Sequence, residues 1–338
     1  MSREDQQMKN IKKRLTEWKA IQRVQRHVED GAITGGDAGE QEFLDLLRSH
    51  SRAKHVKFYT ERRLPSRKQN RKREIDLIIC TPSEIHLLEI KNWSGFVQES
   101  ENSWRQKKRN GDFVDHRNPV SENSRKISAF VEYLSDSGTE LTKEFVDSRI
   151  RAQIILFNER LHVSPEISKN PDVIQRKELD QFLDETCRVS ALQSNTRRLI
   201  DKCFNEQLSD RIQKILFGGM PRSTYRKVCH AISQANTWDR LALYGCKTLK
   251  GDLLRLHVNQ KFFTRKQLSD GTTIEVNWKR HRFWGGLLSL TGLGALGKMK
   301  IQKESMHLST NDKVDFHVVG EPKPRTIMLS EIDSIHIG

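Results

Sequence analysis

Two aliphatic runs dominate the hydrophobic pattern of the first half of the chain. They are Arg73-Glu74-Ile75-Asp76-Leu77-Ile78-Ile79-Cys80 and Ile85-His86-Leu87-Leu88-Glu89-Ile90-Lys91-Asn92-Trp93, separated by Thr81-Pro82-Ser83-Glu84. Short apolar runs bounded by turn residues predict two β-strands joined as a hairpin. Upstream, Ile11, Leu15, Trp18, Ile21 or Val24, and Val28 recur at helical spacing, with Lys9, Lys12, Lys13, Arg14, Lys19, Arg23 and Arg26 over the remaining surface. That pattern predicts a basic amphipathic helix within residues 1–30. The glycines of 31–39 break it, and a second helix is expected from Asp37, with Phe43, Leu44 and Leu47 on its inward stripe.

Residues 54–63 read as a strand, and 96–115 as a hairpin that turns at Asn110-Gly111. Asn118-Pro119 opens a helix with Ile127, Phe130, Val131 and Leu134 on one face. Residues 150–157 are nearly all apolar, as in a strand covered on both faces. Leu179, Phe182 and Leu183 close this part on a helix. Beyond residue 186 the character changes, first to polar-rich helical stretches at 191–217 and 224–243. Short alternating strands follow, with turns such as Lys250-Gly251-Asp252 and Ser269-Asp270-Gly271, which suggest a small antiparallel sheet or barrel. Four parts are expected: the N-terminal helix at 1–30, an α/β domain at 31–186, a helical connector at 187–240 and a β-rich domain at 241–338.

The chemistry sits in the hairpin. Alternation puts Glu89 and Lys91 on one face and Ile90 on the other. If Thr81 to Glu84 form a four-residue loop, Cys80 pairs with Ile85, and Asp76 falls opposite Glu89 on the same face. Opposed residues hold their Cβ atoms roughly 4.5–5.5 Å apart, where like charges repel. Two carboxylates so placed call for a cation, and Mg²⁺ or Mn²⁺ held by carboxylates and substrate phosphate oxygens meets that need. Lys91 would face the charge that develops on phosphate. The plainer alternative is a surface hairpin in which Lys91 pairs with Glu89. Glu40 has two readings as well: with Asp37 it has the spacing of a capping box, and with Phe43, Leu44 and Leu47 it shares the inward face.

These residues, in this order, resemble the nuclease-related domain, a branch of the PD-(D/E)xK, restriction-endonuclease-like superfamily. The resemblance rests on Gly36-Asp37-Ala38-Gly39-Glu40, Arg73 to Ile78, Leu88-Glu89-Ile90-Lys91-Asn92-Trp93-Ser94-Gly95, Trp104, Asn118-Pro119-Val120 and the strand Ala152 to Phe157. It covers about residues 30–185. Where the family usually places Gln, three residues after the Pro of Asn-Pro, this chain has Glu122. The resemblance implies an α/β (α+β) fold with a mixed sheet flanked by helices. It also implies a metal-dependent nuclease with Asp76, Glu89, Lys91 and Glu40 as catalytic residues. Asp76, Glu89, Glu40 and the Ile90 carbonyl are the implied metal ligands. The alternative is a nuclease-like scaffold or adaptor that binds nucleic acid without cleaving it.

Charge supports a nucleic-acid partner, and DNA is expected ahead of RNA. The 338 residues hold 59 Lys and Arg against 44 Asp and Glu, a formal net charge of +15, which suits a polyanion. Arg67, Lys68, Arg71, Lys72 and Arg73 stand in a basic stretch that reads as a substrate border, a nuclear-localisation run or a solvated loop. Lys107, Lys108 and Arg109 form a second group beside Trp104, whose ring either stacks a base or packs against Trp93, and packing is the expectation. The five cysteines are odd in number and lack a CxxC pair, and the first residues lack an apolar leader. Together with the lack of any apolar run near 18 residues, this sets the expectation of an intracellular protein, cytoplasmic or nuclear, without a membrane span. A protein partner is assigned to the C-terminal domain. Gly292-Leu293-Gly294-Ala295-Leu296-Gly297 matches a dinucleotide pattern by letter, but the strand-like Lys298 to Gln302 follows where a helix is required.

Overall fold

A computed structural model describes residues 3–28, 31–50, 56–66, 71–281, 286–287, 290–291, 296–301 and 304–338. The chain divides into two compact units, Ala32–Asn236 and the combination of Met1–Gly31 with Thr237–Gly338. The first helix, α1 (Arg3–Gln22), belongs to the second of these. There Gln22 Nε2 donates to the Arg280 carbonyl at 2.6 Å, and His27 meets Glu331 at 3.2 Å. The remainder of that unit is a nine-stranded sheet between Asp239 and His336 in which every pairing is antiparallel.

The unit that carries the predicted hairpin begins with α2 (Gly31–Ser49), β1 (Lys57–Ser66), β2 (Arg71–Cys80) and β3 (Ile85–Lys91). Next come β4 (Gly95–Ser100), β5 (Ser103–Lys107), β6 (Phe113–Arg117), α3 (Pro119–Asp136), α4 (Lys143–Arg149) and β7 (Ile150–Leu156). It ends with β8 (Leu161–Val163), α5 (Pro165–Ser168), β9 (Val173–Gln175), α6 (Leu179–Cys203), α7 (Glu206–Phe217) and α8 (Arg222–Gln234). The main sheet runs β1-β2-β3-β7-β9. It is mixed: β1, β2 and β3 pair antiparallel, and β3, β7 and β9 pair parallel. A smaller sheet runs β6-β5-β4-β8.

Alternation assigns the two faces of the main sheet. Leu77, Ile79, Leu88, Ile90 and Ile155 pack with Phe43 and Leu47 of α2 and with Leu179 and Leu183 of α6. Ile78, Cys80, Ile85 and Leu87 pack with Phe130 and Leu134 of α3, Phe145 of α4, and Val228 and Ile232 of α8. The small sheet buries Val97 and Trp104 against Ile154, Leu156, Ile167 and Val173. Trp104 therefore packs, as expected, with Trp93 edge-on at 6.3 Å.

Several expectations are corrected. Helix α2 begins at Gly31, not near Asp37, so Asp37 and Glu40 lie inside the helix and form no cap at its start. Interior glycines cost about 1 kcal/mol each, which burial of Phe43 and Leu47, at about 1.5–3 kcal/mol apiece, offsets. The basic stretch is mostly strand, since β1 runs to Ser66 and β2 restarts at Arg71; Arg67 and Lys68 lie outside the described residues. The 187–240 segment is no separate connector, because α8 contributes Val228, Ala231 and Ile232 to the core beneath β2 and β3. Helix α6 passes through 191 unbroken, and α7 starts anew where Asn205 Oδ1 accepts the Leu208 N–H at 3.0 Å. Of the dinucleotide-like run, residues 292–295 lie outside the described residues, and Gly297 opens a strand. Among the described residues no helix is long and apolar enough to cross a membrane.

Candidate active site

The hairpin closes as the loop length predicts. Thr81 N–H donates to the Glu84 carbonyl at 2.9 Å, and Cys80 pairs with Ile85, Ile79 with His86, Ile78 with Leu87 and Leu77 with Leu88. Asp76 and Glu89 stand one step beyond the last of these pairs. There the ladder gives way to a side chain, for Asp76 Oδ2 accepts the Ile90 N–H at 2.8 Å. An extended residue turns its N–H and C=O toward the same edge, so the Ile90 carbonyl also faces the β2 side, beside Asp76. Lys91 faces the other neighbour, where its carbonyl accepts the Phe157 N–H at 3.1 Å.

Glu89 is clamped by two ammonium groups. Lys91 Nζ donates to Oε1 at 2.6 Å, and Lys126 Nζ, from α3, bonds Oε2. Burial alone would raise the Glu89 carboxyl, but Lys126 and Lys91 outweigh it and hold it below the usual carboxylate range. Asp76 takes the opposite course. Burial and the neighbouring Glu89 charge push it up to about 7, despite Lys126, Lys91 and the Ile90 N–H. Burial disfavours the Lys91 ammonium, yet Glu89, Asp76 and Glu40 together raise its pKa above the ordinary value. The result is one acid held ionised, one acid poised near neutrality and, in Lys91, an ammonium stabilised by its acidic neighbours.

The scaffold around this group is hydrogen-bonded in detail. Asn118 caps α3 by accepting from Val120 N–H at 3.0 Å and Ser121 N–H at 3.3 Å. Asn123, buried on the same helix, donates through Nδ2 to the Leu87 and Gln153 carbonyls at 3.0 Å each, which fixes α3 across β3 and β7. Lys126 follows three residues later on that face. Beyond β3, the Trp93 ring stacks on His116 at 4.1 Å, and Gln106 ties the segment down by donating to the Ser94 carbonyl at 2.7 Å and bonding His116 Nε2 at 2.9 Å. Burial, Lys91 and Lys108 lower the His116 pKa, so the ring is neutral at pH 7.

Glu40 belongs to α2, on the opposite face of the sheet from Asp76 and Glu89. Its helix meets the end of β3 closely, for a Cβ on Gly39 would fall 2.7 Å from the Asn92 side chain. Its charge acts on Lys91. Among the described residues no three His, Cys, Asp or Glu side chains gather into a group that could hold a metal. The available donors are the Asp76 and Glu89 carboxylates and the Ile90 carbonyl. All are hard oxygens, and two carboxylates match what Mg²⁺ takes from a protein when phosphate and water complete its shell. The donor set fits such an ion.

Of the basic residues, Lys107, Lys108 and Arg109 are exposed together at the β5–β6 turn, and Arg73 lies on β2 three residues before Asp76. For Arg71 and Lys72 only the strand backbone is described. Glu122 is half exposed and pairs with Arg117 at 3.5 Å. A cleft of about 690 Å³ opens at the carboxyl ends of β7 and β9, lined in part by Leu156, Asn158, His162, Gln175, Arg176 and Lys177. Leu156 is the register partner of Lys91, and Gln175 that of Leu156. Sequence reasoning missed Lys126, Asn123 and His116. The signal for the first two was their i, i+3 spacing ahead of Phe130 on the buried face of α3.

Residues 35–152 match the family model described as the nuclease-related domain. Comparison with curated proteins and with solved structures returned no match.

Proposed function

We propose, with residues 35–152 identified as a nuclease-related domain, that this protein is a metal-dependent nuclease that hydrolyses phosphodiester bonds, of DNA ahead of RNA. The observation that carries this is the group of Asp76, Glu89, Lys91 and Lys126 at the point where β2 and β3 part. Asp76, Glu89 and the Ile90 carbonyl would hold Mg²⁺ or Mn²⁺, with Glu40 acting from the end of the sheet. Such an ion supplies an acidified water and a polarised phosphoryl oxygen.

The chain's own residues do the rest. Asp76 must shed its proton to serve as a ligand, and its position near neutrality makes that step accessible at cellular pH. Lys91 meets the negative charge that develops on the phosphoryl oxygens. Its raised pKa keeps it protonated, so it is a donor and no general base. Lys126 positions Glu89. The exposed cations at the β5–β6 turn and Arg176 and Lys177 at the cleft line routes for the phosphate backbone. Cytoplasm or nucleus is the proposed place of action, and the C-terminal strands are the proposed seat of a protein partner.

One observation favours a second reading, a nucleic-acid-binding scaffold without turnover. Both Glu89 oxygens are already satisfied by Lys91 and Lys126, an arrangement that is complete without an ion. A cleavage assay on labelled DNA and RNA with Mg²⁺, with Mn²⁺ or with chelator separates the two. Cleavage that requires the ion supports the enzyme; retention of nucleic acid with no cleavage under any condition supports the scaffold.

A further inference from the structure

We infer that the outer face of the small sheet is a platform for single-stranded nucleic acid, with Phe96 and Phe113 as stacking surfaces for unpaired bases and Lys107 between them for the backbone. The inference deepens the proposed nuclease function by assigning the form of its substrate. It starts from register. Phe96 pairs with Lys107, and Lys107 with Phe113, so the three stand in one row across β4, β5 and β6. The next row on the same face is Gln98, Arg105 and Asp115. The intervening rows, Val97-Gln106-Val114 and Glu99-Trp104-His116, point to the other face, where Val97, Gln106 and Trp104 are buried.

The sheet therefore does its packing with one face and shows its aromatics on the other. Phe96 is 40 % exposed and Phe113 is 63 % exposed. Lys107 Nζ lies 5.8 Å from the Phe113 ring centroid, a cation held over an aromatic face. The nearby Arg105 pairs with Asp115 at 2.8 Å and the exposed Arg117 with Glu122 at 3.5 Å, while Lys107, Lys108 and Arg109 stand exposed together at the turn. Its turn is well held, with Lys108 N–H on the Asp112 carbonyl at 2.7 Å and Gly111 at a φ of +93°. Exposed rings set among cations on a rigid sheet are the elements by which proteins hold single strands, because every base offers a π-face.

Spacing selects the single strand over the duplex. Neighbouring strands lie about 4.8 Å apart, so the strands that carry the two rings are separated by about 10 Å. Bases stacked in a duplex rise by only about 3.4 Å per step and keep their faces covered. An extended strand with splayed bases reaches both rings and brings a phosphate near Lys107. Along the chain the platform starts close to the proposed active site, since β4 begins at Gly95, four residues after Lys91.

The test is fluorescence anisotropy of the full-length protein in chelator, with labelled oligothymidine and with a labelled mixed-sequence duplex at one fixed salt concentration. The wild type is expected to prefer the single strand. Joint Phe96→Ala and Phe113→Ala substitution should weaken single-strand binding by on the order of 30-fold or more and duplex binding by less than about threefold. Phe96→Trp with Phe113→Trp should restore the preference. Both rings are exposed, so the variants should melt like the wild type, and the melt is recorded alongside. Equal wild-type affinity for both forms, or an unchanged single-strand affinity in the double alanine variant, overturns the platform. The same measurement separates it from the nuclease proposal: single-strand preference lost with the rings in a protein that cleaves nothing upholds the platform while the enzyme fails. Cleavage that persists alongside unchanged single-strand binding in the alanine variant overturns the platform alone.

Discussion

The two faces of the β2–β3 hairpin follow the same alternation and come to different ends. On one, Leu77, Ile79, Leu88 and Ile90 are all buried, and α2 and α6 cover them along their length. On the other, Ile78, Cys80, Ile85 and Leu87 are buried under α3, α4 and α8, but the last step of the pattern is Asp76, Glu89 and then Lys91. The apolar face carries stability and the charged end of the second face carries the proposed chemistry. Because side chains alternate strictly, a single register sets both. The charged end is also where the fold tolerates electrostatic cost, with Asp76 held beside Glu89 and raised to about 7. Functional sites commonly accept such strain and leave stability to their surroundings.

The sharpest way to break this comparison is to change each face separately. Glu89→Gln should lower the ion-dependent cleavage rate by on the order of 10³ while the protein remains folded, as read by circular dichroism and single-turnover kinetics. Leu88→Ala, its neighbour on the buried face, should instead cost about 2–5 kcal/mol in denaturant unfolding. Activity would then be lost only in proportion to the unfolded fraction. If Leu88→Ala abolished turnover in a fully folded protein, the division between the faces would be wrong.

Proton linkage sharpens it further. Below about pH 7 Asp76 is protonated in the ion-free protein, and a cation must displace that proton. Apparent Mn²⁺ affinity, measured by calorimetry, should therefore weaken by about tenfold per pH unit below 7 and level off above it. The sign for folding is the reverse. A carboxyl whose folded pKa is raised contributes least at high pH, because the unfolded chain ionises it from about pH 4 upward at lower cost. Asp76→Asn should thus raise the melting temperature of the chelated protein at pH 8, by about 2–4 °C per kcal/mol gained, and leave it unchanged at pH 4. A flat affinity profile between pH 5 and about 8 would remove Asp76 from the ligand set.

The smallest expected effect belongs to Lys126. Lys126→Met removes one of two cations on Glu89 but leaves Lys91 in place. The Glu89 carboxyl should move up, and the cleavage rate should fall by roughly tenfold, the low end for a residue that only positions a metal ligand. Activity in Lys126→Met as low as in Lys91→Ala would mean that the two lysines act as equals at the phosphate.

Much of this end of the molecule was legible in the sequence, because its determinants are local. A four-residue loop and strict alternation were enough to place Asp76 against Glu89, and Asn118-Pro119 marked the start of α3. Lys126 was not legible, since its reach to Glu89 depends on how α3 lies across β3 and β7, and the buried Asn123 amide fixes that. The start of α2 was misjudged for a related reason. Its glycines argue locally against a helix, and the argument for one comes from the distant sheet under Phe43 and Leu47. Phe96 and Phe113 look like core residues until the pairing of three strands places both on the outer face with Lys107.

The measurement that bears most directly on the site is cleavage by purified wild-type protein and by Lys91→Ala, with Mg²⁺, with Mn²⁺ and with chelator, run beside a binding assay on the same labelled nucleic acid. Lys91 is one cation among many on a chain of net charge +15, so binding should stay within a few-fold while ion-dependent cleavage falls by about 10²–10³. Wild type and variant that behave alike in every cleavage reaction would contradict the account and leave a binding module built on a nuclease-like fold.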